Sequence, residues 1–133
     1  MSRPKRVLLW LLGLSMMAVG ALHFAHPEPF MVIVPPPLPP RATVYLSGVF
    51  EVLGGLGVLI PVTRRAAAWG LIALYLAVFP ANIYMAINGI QLDPANPMPE
   101  WAGWARLPFQ ALFIAWAWWY TRRDDQLAQA RRS

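Results

Sequence analysis

HFAHPE at residues 23–28 and the single carboxylate of SGVFEVLGG at residues 47–55 are the first places where side-chain type and spacing could do chemistry. His23, His26, Glu28 and Glu51 carry the donor atoms of a metal site. The HxxHxE run is short, however, and Pro27 disturbs the helical spacing that would place its members on one face, so no metal is assigned. Met16 and Met17 read as packing residues rather than copper ligands. The sequence has no cysteine, which removes thiolate ligation and thiol–disulfide exchange. Nor does it offer a nucleophile beside a base or a phosphate-cradling loop, so independent catalysis is not expected.

Glu51 stands alone in an uncharged run from Ala42 to Ile60. A carboxylate at the centre of a membrane helix costs about 2.5–3.5 kcal/mol on insertion scales, so it must be paired or protonated. Ser47, Gly48, Glu51, Gly54 and Gly55 recur at helical spacing and form a small, polar stripe opposite Val49, Phe50, Leu53 and Leu56. Small residues admit a neighbouring helix, so Glu51 is expected to face other helices. Its candidate company is Arg106 first and His23 second, with Asn82 and Gln110 at comparable depth. Pro80 frees the Leu76 carbonyl beside Asn82. His23, Ser47, Glu51, Asn82, Arg106 and Gln110 are therefore the candidate ligand-binding set, suited to a small hydrophobic molecule with a polar head, such as a quinone. Alternatively, the same residues form a clamp that only fixes helix register in a structural or assembly subunit. A small-molecule transporter is a third class.

The elements that must position these residues follow from composition. With 58% hydrophobic and 13% charged residues, the chain is too apolar for a water-soluble core of this size. Its charges flank four apolar stretches, giving expected helices at about 7–24, 42–60, 66–88 and 103–121 in one domain. Each stretch has roughly the 17–25 residues that cross hydrocarbon as a helix. The expected fold is an all-α, integral-membrane four-helix bundle. Nine of the eleven basic residues lie at the N-terminus, in the Arg64–Arg65 turn or in the tail 122–133, while Arg41 and Arg106 lie elsewhere. By the positive-inside bias both termini are expected to be cytoplasmic. Trp10, Trp69 and the Trp116–Tyr120 cluster mark the inner interface, and Tyr45, Tyr84, Trp101 and Trp104 the outer. A cleaved signal peptide over residues 1–21 is the rival reading, but the apolar run reaches Ala25, long for a signal core.

The basic charge is topogenic, with anionic lipid contact as a by-product and no nucleic-acid partner implied. The outer connection 26–41 contains seven prolines, and PPPLPP at 35–40 is expected to form a stiff polyproline strap, with Phe30 and Met31 able to fold back on the bundle. The cytoplasmic half carries almost no polar side chains within its helices, which fits a pocket open outward or sideways and closed beneath better than a channel. The small-residue stripe would also suit self-association, leaving a homo-oligomer open.

Taken together, HF near the end of the first helix, P-x-x-L-P, SGVFE, TRR, VFPANIYM and RLPFQ resemble the DoxX family of small four-helix membrane proteins, over roughly residues 20–120. His23, Glu51, Arg64, Arg65, Asn82, Arg106 and Gln110 fall on that pattern. The resemblance implies an inner-membrane accessory component of quinone-linked oxidation or oxidative-stress systems, with membrane redox proteins as partners and a quinone as the conceivable cofactor. The lack of cysteine does not fit thiol redox chemistry found among four-helix membrane relatives.

Overall fold

The computed structural model describes residues 1–92 and 94–122, so most of the expected basic tail, 123–133, lies outside the described residues. Helix α1 runs from Arg3 to Ala25, α2 from Glu28 to Met31, α3 from Pro40 to Leu59, α4 from Arg64 to Asn88 and α5 from Glu100 to Trp119. Sequence punctuation explains the boundaries. The Ser2 hydroxyl accepts the Lys5 N–H at 3.3 Å and Pro4 occupies the first turn, so α1 begins at Arg3 rather than Val7. Pro40 opens α3 where its missing N–H costs nothing. Gly89 takes the left-handed conformation (φ 60°) that ends α4. Pro99 precedes α5, which starts at Glu100 rather than Gly103.

The described residues are all-α. Helices α1, α3 and α4 are long and apolar enough to cross a membrane. Helix α5 has a comparable length but is not among them, and it carries Glu100, Arg106, Pro108 and Gln110. Leu11, Leu14, Leu46, Phe50, Leu53 and Leu76 all expose about half or more of their surface along the three apolar helices. So much outward-facing hydrocarbon suits acyl chains and would be an aggregation liability in water.

Neighbouring long helices pack antiparallel. Gly13 of α1 meets Gly55 of α3, and Gly20 meets Gly48, in two backbone-to-backbone approaches spaced by seven residues on each helix. A Cβ built on Gly55 would lie 2.6 Å from the Gly13 carbonyl oxygen, so no larger residue fits without separating the helices. Gly54 and Gly57 face the other way, against Leu71 and Ala67 of α4. Gly103 of α5 approaches Ala86 of α4. At the end of the bundle that carries the start of α1, here the base, Leu9, Leu12, Met16, Val58, Leu71, Tyr75, Ala117 and Tyr120 form one buried apolar cluster. The α3–α4 turn closes this end: the Thr63 hydroxyl donates to Gly57 O at 2.8 Å, and Arg64 Nε to Val58 O at 2.7 Å.

The opposite end, the mouth, is covered by the connection from α1 to α3. PPPLPP is not the extended polyproline strap that its composition suggests. Leu38 carries the one N–H between Pro35 and Pro40 and donates it to Pro35 O at 3.2 Å, closing a turn. Before that turn, residues 28–31 form α2, which brings Phe30 down onto α1.

Candidate ligand pocket

Helix side chains tilt toward their own N-terminus. Because α1 starts at the base and α3 at the mouth, His23 leans inward while Glu51 leans outward, and the two converge. His23 Nδ1 lies 3.1 Å from Glu51 Oε2, with only 9% and 13% of the side chains exposed. The same nitrogen sits 2.7 Å from the Val19 carbonyl oxygen. A carbonyl only accepts, so in this geometry Nδ1 carries a proton directed along its own helix. The contact with Glu51 is consequently close without being a hydrogen bond, and Glu51 Oε2 is buried with no hydrogen-bond partner among the described residues. Phe30 stacks on the outer side of the His23 ring, with centroids 3.9 Å apart.

A cavity of about 180 Å³ opens beside this pair. Its polar lining consists of His23, Thr43, Ser47, Glu51, Asn82 and Arg106. Its apolar walls come from Val19 and Val44 on α1 and α3, Val78 and Ala81 on α4, and Phe30, Ile33 and Val34 of the connection above. A dry cavity near 150 Å³ accepts a benzene ring, so this one holds a ring-sized molecule. Arg106 reaches it from α5, and among the described residues the polar contact of its guanidinium is the one from Nη1 to Met85 Sδ at 3.7 Å. Sulfur is a weak acceptor, which leaves most of the guanidinium's hydrogen-bonding capacity unused.

The expected cluster is thus divided. Arg106, the first-ranked partner of Glu51, makes no ion pair with it among the described residues, and His23 takes the position beside the carboxylate. Asn82 and Gln110 form a separate unit. Gln110 is 5% exposed; its Nε2 donates to the Tyr75 carbonyl and its Oε1 accepts from Asn82 Nδ2. This unit sits near Pro80, which cannot supply a helical N–H to the preceding turn. Of the six candidate residues, five line the cavity and Gln110 lies behind Asn82.

His26 and Glu28 do not join the cavity. They meet each other at 3.3 Å on the exposed rim, with side chains 69% and 66% exposed. The four conceivable metal donors are therefore split into two pairs. Thr43, Phe30, Ile33 and Val34 were not singled out as site residues. Thr43 had a signal: it precedes Ser47 by four and Glu51 by eight, which puts all three on one helix face.

No curated protein and no solved structure matches the chain. A family model described as a domain of unknown function, DUF8561, matches residues 12–121, the greater part of the sequence, and the chain belongs to that family.

Proposed function

We propose that this protein is a small-molecule-binding component of a bacterial or archaeal inner membrane, with α5 as its fourth span and both termini cytoplasmic. Its ligand has an apolar, ring-sized body and a polar head, as a quinone does, and the protein serves a membrane redox or oxidative-stress system as an accessory. One observation carries the reading: the cavity at the mouth is lined by a buried carboxylate oxygen that has no hydrogen-bond partner among the described residues and by a guanidinium that has no carboxylate partner among them, with apolar walls around them. Leaving both groups unmet is costly in a low-dielectric site, and a ligand head supplies what they lack. The apolar cluster at the base favours binding over passage, because it offers no polar path to the other side. The sequence resemblance to DoxX-like proteins supports the redox association only by analogy.

Asn82 and Gln110 favour a narrower structural reading for themselves. Their amides are used inside the protein, so they act as a clamp between α4 and α5.

Native mass spectrometry on protein extracted gently from its own membrane separates the pocket from a clamp. Wild type is expected to carry a small-molecule adduct whose mass is not that of any phospholipid of the membrane. Glu51→Gln is expected to lose it by about tenfold or more, the equivalent of one charge-assisted hydrogen bond worth roughly 1.5–3 kcal/mol. Folded wild type and variant that both come without an adduct would remove the pocket and leave the clamp.

A further inference from the structure

At the base, away from the cavity, α1 carries a second feature. Arg3, Arg6, Val7, Trp10, Leu11 and Leu14 line a surface hollow of about 470 Å³. A second hollow of about 240 Å³ shares Arg6 and Trp10 with the first and continues along Leu9, Leu59 and Pro61. Arg6 and Trp10 therefore form a ridge between a mostly apolar trough and a second one of mixed lining, with cationic groups at one end of each. We propose that this ridge seats one anionic phospholipid, its phosphate on Arg3 and Arg6 and one acyl chain in the trough on either side of Trp10.

Charge and geometry select this occupant. α1 is apolar and long enough to cross a membrane, so arginines in its first turns lie at headgroup depth. That first turn contains no acidic residue, and neither Arg3 nor Arg6 has an ion-pair partner among the described residues. The positive end of the helix dipole adds to the attraction for an anion. The third arginine nearby, Arg64, is already committed to the Val58 and Leu59 carbonyls, so it frames the second trough and leaves the phosphate to the other two. Trp10 is 50% exposed and Leu11 and Leu14 are each 53% exposed, which leaves the trough walls open to hydrocarbon. A zwitterionic lipid would bring its own cation against the same arginines. Anionic headgroups are favoured for that reason.

The test uses the full-length protein, delipidated in detergent and titrated with phosphatidylglycerol or phosphatidylcholine of matched chains, with bound lipid read by native mass spectrometry. Juxtamembrane arginines contribute about fivefold each, so a preference for phosphatidylglycerol of about thirtyfold is expected. Arg3→Gln/Arg6→Gln should bring the two lipids to near parity. Arg41→Gln, at the mouth and bonded to Tyr45, should leave the preference intact. Leu11→Asp puts a carboxylate into the trough at an exposed position and should also lower phosphatidylglycerol retention, so it serves if the double variant fails to fold. Single-chain lysophosphatidylglycerol should bind more weakly than the two-chain lipid. The seat is overturned if wild type retains both lipids alike, if the arginine variant keeps the preference, if Leu11→Asp retains phosphatidylglycerol as wild type does, if Arg41→Gln loses the preference equally, or if the lyso-lipid binds as well.

Discussion

Gln110 spends both ends of its amide within the bundle, one on the Tyr75 carbonyl and the other on Asn82. Removing it strands the Asn82 amide and takes a second hydrogen bond from the Tyr75 carbonyl, where water does not readily replace it. Gln110→Leu is therefore expected to lower the unfolding free energy in mixed detergent micelles by about 1–2 kcal/mol, within the range for a buried group left unpaired. Adding Asn82→Leu should cost less than the sum of the two single changes, with a coupling of about 0.6–1.7 kcal/mol as for interhelical hydrogen bonds in membranes. Additive effects would show that the two amides do not act as a unit. Neither change should abolish the adduct that Glu51→Gln removes, because the pocket's unmet groups are elsewhere. Sequence reasoning could find Glu51, Asn82, Arg106 and Gln110, since a polar residue in an apolar helix stands out. It could not rank their pairings: His23 beside Glu51 and Met85 beside Arg106 depend on rotation and tilt that spacing alone leaves free.

Helix α3 is the element on which the site depends, and its glycines set its distance from α1. A methyl group built on Gly48 would fall 2.8 Å from His23 Cβ and 3.0 Å from the Gly20 carbonyl. Gly48→Ala must therefore push α1 away at the level where His23 meets Glu51. It is expected to cost about 1–3 kcal/mol as an overpacked contact and to weaken ligand retention along with stability. Gly70 provides the contrast, because a Cβ there meets nothing within 4 Å. Gly70→Ala should be neutral or stabilising by up to about 1 kcal/mol, the helix-propensity difference between the two residues. Equal destabilisation by both variants, measured by thermal unfolding, would mean that α1–α3 contact is not what the glycines provide. The stripe of small residues was legible in the sequence, but its allocation was not. Gly48 and Gly55 serve α1 while Gly54 and Gly57 serve α4, a division set by how α3 sits between two neighbours. PPPLPP was misjudged for a related reason: composition favours extended polyproline, yet a single available N–H suffices to close the turn.

The molecule as a whole is tied together at its base by the two ends of the described chain. The Tyr120 hydroxyl donates to the Lys5 carbonyl at 2.8 Å, and the Lys5 ammonium lies 5.4 Å from the Trp119 ring centroid and 5.7 Å from that of Tyr120. Lys5 is 6% exposed, so a residue that reads as an ordinary topogenic charge also packs α1 against the end of α5. This contact puts Arg122 at the same end of the bundle as Ser2, the arrangement that the proposed fourth span in α5 requires. By length and composition three helices are apolar enough to cross a membrane, and α5 is not among them. Side-specific labelling decides the matter, and the absence of native cysteine makes each introduced thiol unique. Leu38→Cys and Pro94→Cys, at the mouth, should react in intact cells with a membrane-impermeant maleimide. Ser2→Cys, Val62→Cys and Arg122→Cys, at the base, should react only after the membrane is opened. Val62 is 93% exposed, so its protection in intact cells would reflect the bilayer rather than packing. Labelling of Arg122→Cys in intact cells, with Ser2→Cys still protected, would take α5 out of the membrane. Arg106 would then no longer reach the cavity from within the bilayer, and the proposed pocket would lose its cation.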